Sequence, residues 1–386
     1  MMIRHLRPLF AASFFFSFHL ALLSYLNSSV LAQHASTVQL TLSYTVASML
    51  ALVLVLIAPH IVGTVGASRF LIGLLMLSLA LLVTLGLHAH HPSFVWIFVL
   101  YFSLNTVIWY AFDLVIEHYS REHNTGNIRG LYLTLQNTGW VIAPITSAAV
   151  IGIVGFGGTY LVASVGIVLA LFILVMTPRI KEHQHVPRIS FKEAFRQLTL
   201  HPYARRLVTL YFVLQFFFAW MVLYMAPYLR GLGFAWKTIG VILSIMLLPF
   251  VLFQYATGKI ADKRHNERTL LIIGFGIAAF ATLLLALPLP PTAAIFAGLL
   301  FLTRVGASII EVATESAFFK AVNEHDTALI STLRMTLPFA YIIAPLIGAG
   351  LLAIGGMHVL FGVLGAILLL AALYATRLGA SNRPPV

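Results

Sequence analysis

Apolar runs of about 18 to 25 residues recur along this chain from end to end. Each is long enough to cross ~30 Å of hydrocarbon as a helix, and this feature constrains the fold more than any other. The spacing predicts spans near 8–31, 38–58, 68–87, 94–117, 128–153, 158–177, 206–228, 238–257, 269–288, 293–318, 327–351 and 357–376. Helices are required because a bilayer offers backbone groups no water, so they must pair within the segment. Barrel strands would read as alternating segments of about ten residues, and no such alternation occurs. Only 9% of the 386 residues are charged, against about 25% in soluble domains.

The net charge of +12 would suit a nucleic-acid binder if the basic residues formed a patch, but they do not. With the amino terminus inside, all 23 Lys and Arg residues fall in cytoplasmic segments except external Arg230 and Lys237 and span-embedded Arg304 and Arg334. That bias sets topology, so both termini are expected in the cytoplasm of a plasma (inner) membrane protein, with the lipid bilayer and not nucleic acid as its partner. Arg4 and Arg7 before the first apolar run also fit a cleaved signal peptide. The run is longer than a usual signal core, however, and its loss would leave the halves out of step.

Those halves are the next signal. The longest polar connection, 178–206, separates six predicted spans from six. Pro144 and Pro345 lie 201 residues apart, while the pairs Asp113/Glu117 and Glu311/Glu315 lie 198 apart. About three residues are thus inserted between the fourth and fifth spans of the second copy. Parallel six-span repeats are a transporter architecture. The expected organisation is an all-α polytopic membrane protein of twelve transmembrane helices in two pseudo-symmetric six-helix bundles, 1–177 and 207–386. Between them, the linker 178–206 carries Ser190 and Glu193 at capping-box spacing, followed by Phe195, Arg196 and Leu198. That pattern suits either a short helix on the inner leaflet or an ordinary basic linker.

Charge inside a span is disfavoured by ~2.5 to 3.5 kcal/mol even on insertion scales, so it marks a cavity or a partner. Asp113/Glu117 and Glu311/Glu315 are each spaced i,i+4 and share one helix face near the cytoplasmic end of spans 4 and 10. The outer members, Glu117 and Glu315, read as gate residues pairing with Arg69, Arg129, Arg264, Arg268 or Arg334. The deeper Asp113 and Glu311 fit proton coupling and gating equally. Arg304 lies near the middle of span 10, roughly 24 Å along the helix from Lys320 at ~1.5 Å per residue. At about 100° per residue, Arg304, Ser308, Glu311 and Glu315 form one polar stripe. A purely structural Arg–Glu pair is the alternative to a substrate or coupling role for this stripe.

Between spans 8 and 9, Gly258, Lys259, Ile260, Ala261, Asp262, Lys263 and Arg264, followed by Arg268, resemble the loop signature of the major facilitator superfamily. The resemblance covers nearly the whole chain, but Pro59 to Arg69 after span 2 keeps only Arg69 of the pattern. It implies that spans 1, 4, 7 and 10 line a central cavity, which puts the Arg304 stripe on the transport path. It also implies that Asp262 gates by accepting hydrogen bonds at a cytoplasmic helix end near the start of span 11 or by pairing with basic residues. In span 5, Gly139, Ala143, Pro144, Ser147 and Ala148 are similar to the Gly- and Pro-containing signature of drug/proton antiporters of that superfamily. Ala344, Pro345 and Gly348 repeat the pattern in span 11. A motif present in both halves is also explained by close helix packing at small residues.

Weaker polar candidates are His19, Asn27, Asn105, Gln136, Asn137, Tyr211 and Gln215, each alone suited to helix–helix hydrogen bonding. His88, His90 and His91 form an external cluster without a nearby carboxylate, so no metal is expected. Zero cysteines remove disulfides, thiolate metal sites and cysteine nucleophiles. There is no Walker-type phosphate loop and no nucleophile-and-base motif, so neither an ATP-driven pump nor an enzyme is expected, and no cofactor. The sequence reads as a monomeric secondary transporter of a small-molecule substrate with protons as coupling ion. Efflux is the first expectation; an importer or facilitator, and a non-transporting sensor, remain open.

Overall fold

The computed structural model describes residues 2–117, 125–177, 191–264, 266–321 and 327–378. Side chains are described for the same residues except 2–6, 37, 116–117, 125–134, 191–194, 255, 259, 262–264, 327–328 and 330–331. The described backbone is helical: α1 (Met2–Ser24), α2 (Asn27–His34), α3 (Thr37–Val65), α4 (Ala67–Leu87), α5 (Phe94–Glu117), α6 (Thr125–Met176), α7 (Phe191–Leu200), α8 (Pro202–Gly231), α9 (Trp236–Leu252), α10 (Gln254–Arg264), α11 (Glu267–Leu285), α12 (Ala293–Ala321) and α13 (Thr327–Ala375).

Ten of these stretches are long and apolar enough to cross a membrane, and two of them, of 42 and 44 residues, are too long for one crossing. A span needs about 20 residues. Each long helix is interrupted by non-helical glycine, at Gly155 (φ 68°) in α6 and at Gly355 and Gly356 (φ 65°) in α13. The positive φ of Gly155 and Gly356 is a backbone conformation that residues with a Cβ rarely adopt, and it ends one crossing and begins the next. Each interrupted helix thus supplies two crossings, giving twelve among the described residues. Gly155 and Gly356 stand 201 residues apart, the same offset as Pro144 and Pro345. The internal repeat therefore extends to the backbone conformation of its turns.

Several boundaries differ from the sequence expectation. Span 1 is two helices, parted by a turn at Tyr25 and Leu26. Span 8 is likewise divided at Phe253 into α9 and α10, four residues after Pro249, which lacks an N–H to give its preceding turn. The Gly258–Arg264 stretch, expected as a loop, is helical within α10. Similarly, α3 runs through Pro59 to Val65, beyond the expected end near residue 58. Its start is fixed by a capping box in which Ser36 Oγ accepts from the Gln39 N–H and the Gln39 side chain accepts from the Ser36 N–H. The short linker helix is present as α7; Ser190 and the Glu193 side chain lie outside the described residues.

The chain divides into two compact units, Met1–Arg188 with Leu223–Ser244, and Ile189–Val222 with Ile245–Val386. In the first, α1 packs on α6, α3 on α5, and α4 on both α5 and α6. Within the second, α11 packs on α12 and α13, α10 on α12, and α13 on α7. Large apolar side chains such as Met76, Phe172, Phe280 and Leu370 stand exposed on these helices, as a lipid-facing surface requires.

Candidate functional site

In the second unit, α12 turns Thr303, Arg304, Ala307, Ser308, Ile310 and Thr314 inward. Ser308 and Thr314 satisfy their hydroxyls on the carbonyls of Val305 and Ile310, so they add no free donor to the face. Arg304 is only 1% exposed, and its guanidinium carbon lies 4.8 Å from the Phe217 ring centre and 5.2 Å from that of Phe218. About two turns further, Glu311 Oε2 accepts a hydrogen bond of 2.7 Å from Gln254 Nε2. Beyond it, Glu315 Oε1 accepts one of 3.1 Å from the Tyr211 hydroxyl. The charged groups acting on Glu311 are Glu315 and Arg304 on its own helix and Arg334 on α13. Tyr211 feels Glu315, Glu311 and Arg334.

The polar stripe expected from the sequence lies on one face of α12, against Tyr211, Phe217 and Phe218 of α8 and Gln254 of α10. Gln215 and Trp220 are buried on α8, and the Trp220 indole N–H donates to the Ala344 carbonyl just before Pro345. Pro345 and Gly348 are buried in α13. Gln254 was not among the sequence candidates; its signal was an amide at the end of an apolar run, beside the break at Phe253.

Asp113 lies in the first unit, half-buried on α5. The described side-chain hydrogen bonds of α1 and α2 there involve no carboxylate, lysine or arginine. His19 Nε2 meets the Tyr101 hydroxyl at 3.0 Å, and its Nδ1 faces the Phe16 carbonyl. Tyr101 also bonds to Asn105, making a buried three-residue chain. The Tyr160 hydroxyl donates to Asn27 Oδ1 at 2.7 Å, and Ser17 Oγ to the Gln136 carbonyl at 3.4 Å.

Gly139 sits against Phe14 and Phe18 of α1, while Ala143 and Pro144 are buried. A Cβ at Gly240 would stand 2.5 Å from Ala148 Cβ and 2.7 Å from the Pro144 carbonyl oxygen. Ser244 Oγ accepts from the Ile145 N–H at 3.2 Å. The small-residue motif of α6 therefore serves two close contacts inside the first unit, with α1 and with α9.

Of the expected gate residues, the side chains of Glu117, Asp262 and Arg264 lie outside the described residues. Arg268 is exposed in the first turn of α11. Its neighbour Glu267 is buried and pairs with Lys320 Nζ at 2.9 Å. The same Nζ donates to the Ala261 carbonyl at 3.2 Å, so one ammonium ties the ends of α10, α11 and α12. Sequence reasoning missed this pair because 53 residues separate its members. Among the described residues no three His, Asp or Glu side chains converge as a metal site.

Comparison with protein-family models matches residues 9–329, and again 232–386, to the Major Facilitator Superfamily. The chain belongs to that superfamily. Its members are membrane transporters of small molecules and not enzymes. This chain is accordingly an integral membrane protein of the twelve-helix, two-domain fold. A comparison with curated proteins gave no match.

Proposed function

We propose that this superfamily member is a secondary active transporter that works by alternating access and exports a small organic molecule in exchange for protons. The observation that carries the reading is the pair Glu311 and Glu315 on α12, embedded in an apolar helix and held by the neutral donors Gln254 and Tyr211. A carboxylate held by a neutral donor exchanges a proton or a cationic ligand without first breaking a direct ion pair. Asp113, at the repeat-equivalent place on α5, is the second candidate carrier. Arg304 supplies the permanent positive charge that recognises a polar part of the substrate or holds Glu311 ionised until substrate competes for it. Glu117, Asp262, Arg264, Arg268 and Arg334 form the cytoplasmic gate in this reading. The working unit is a monomer in the plasma (inner) membrane with both termini in the cytoplasm.

Proteoliposome flux with and without an imposed pH gradient tests this. Protein inserted in known orientation should move substrate against its gradient when protons flow the other way. Glu311→Gln and Asp113→Asn should be compared in counterflow, which needs no net proton movement, and in gradient-driven transport. Full gradient-driven transport by both variants would remove both residues as carriers, and co-directional movement of substrate and protons would replace export by import.

A further inference from the structure

α10 is a separate lever within span 8. It begins at the break at Phe253 and runs eleven residues to Arg264. It packs chiefly on α12. At its first residue, Gln254 donates to Glu311 Oε2 at 2.7 Å. Near its other end the Ala261 carbonyl accepts from Lys320 Nζ at 3.2 Å, and Lys320 is in turn fixed by Glu267 on α11. Between these ties, Gly258 lies against α12, where a Cβ would meet Val312 Cγ1 at an ordinary 3.7 Å. Gly258 thus packs on α12 at van der Waals distance, the far end of α10 is tied to Lys320, and the near end is tied to Glu311.

We propose that Gln254 is a positioning residue that couples the state of the Glu311 carboxylate to α10, so that neutralising Glu311 releases the near end of this helix from α12. The inference rests on the reading of Glu311 as the exchangeable carboxylate. The physical step is a change of hydrogen-bond class: an amide N–H to a carboxylate is a charge-assisted bond roughly twice as strong as the same bond to a neutral acceptor. Glu311 is faced by Glu315 and Arg304 from α12, Gln254 from α10, Tyr211 from α8 and Arg334 from α13. Gln254 alone among these stands at the break of a helix, so a change at Glu311 is passed to the backbone there and is absorbed elsewhere by side chains.

The chain contains no cysteine, so two introduced thiols give a clean spectroscopic ruler. Ala256, close to the near end of α10, and Phe280 on α11 are exposed members of the same unit. Full-length Ala256→Cys/Phe280→Cys protein, spin-labelled in lipid nanodiscs, should show an inter-label distance distribution that shifts between acidic and alkaline buffer. The shift should vanish in Glu311→Gln, which should stay at the acidic distribution at both pH values. It should also vanish in Gln254→Met, which keeps the side-chain length without the donor, and in Gln254→Asn, which keeps the donor but falls short. A label pair that never shifts in the parent, or a Gln254→Met protein that shifts as the parent does, would overturn the inference. Flux separates the two levels: Gln254→Met keeping the pH response alongside proton-driven flux removes only the lever, whereas absence of proton-driven flux removes the transport reading whatever the labels show.

Discussion

The contact between Arg304 and Phe217 has a measurable energy. Both side chains are buried, with Phe217 at 0% and Arg304 at 1% exposure and 4.8 Å between the guanidinium carbon and the ring centre. A cation over an aromatic face contributes ~0.5–1 kcal/mol when exposed and ~2 kcal/mol when desolvated. The burial here points to the upper part of that range. Phe217→Leu removes the ring but keeps most of the apolar volume, and Arg304→Met removes the charge but keeps a long flexible chain. The double-mutant cycle built from these changes should give a coupling of about 1–2 kcal/mol, because each single variant loses the contact and the double variant loses nothing more. Arg304→Lys should recover part of it, since an ammonium is more strongly hydrated and lacks the flat face that stacks on a ring. The assay is reversible unfolding in mixed micelles or steric trapping in bicelles, run on all four proteins at equal lipid content. Additivity within ~0.3–0.5 kcal/mol would refute the reasoning. Arg304 would then be held by its electrostatic neighbours, and the rings would be mere filler around it.

Three further outcomes are expected. Gly240→Val should destabilise the protein by ~1–3 kcal/mol in detergent melts, because any Cβ there meets Ala148 and the Pro144 carbonyl inside 3 Å, whereas Gly258→Ala, with 3.7 Å to Val312, should fit without a clash. Tyr160→Phe should cost about 1–3 kcal/mol by leaving the Asn27 carbonyl oxygen buried without its donor, and Asn27→Leu in the same protein should restore part of the loss in the same melts. Lys320→Met should lower stability by about 1 kcal/mol, more than an exposed pair contributes, and adding Glu267→Gln should recover some of it; equal stability of parent and Lys320→Met would show that the ammonium holds neither helix end.

The charged stripe of α12 was legible because Arg and Glu are rare in an apolar run, and helical periodicity alone puts Arg304, Ser308, Glu311 and Glu315 on one face. The halving of the chain was legible for a similar reason: the offsets of Pro144/Pro345 and of the two carboxylate pairs agree within three residues. What escaped were the breaks at Tyr25–Leu26 and at Phe253 and the amide Gln254, since one uncharged polar residue hardly moves the hydropathy of a window of 18. The extension of α3 through Pro59 escaped as well. A proline that would stop a soluble helix is tolerated where bilayer and neighbouring helices leave the backbone no better partner. The Glu267–Lys320 tie has no local spacing rule at all, because it depends on how α11 and α12 cross.

The two copies share the positive-φ glycine turns at Gly155 and Gly356 but differ in polarity. At the offset of 198, Thr106 stands where the second half has Arg304, and His19 stands where it has Phe217. In the first unit the buried histidine meets Tyr101, a neutral contact extended by Asn105; in the second the aromatic ring carries the guanidinium. The carboxylates Asp113 and Glu311 were retained at equivalent places, but only Glu311 has an arginine on its own helix among the charges that act on it. The helix that carries Asp113, α5, has no arginine or lysine. If the acidic residue of either half is to change its protonation during a cycle through competition for arginine, Glu311 is the one built for it.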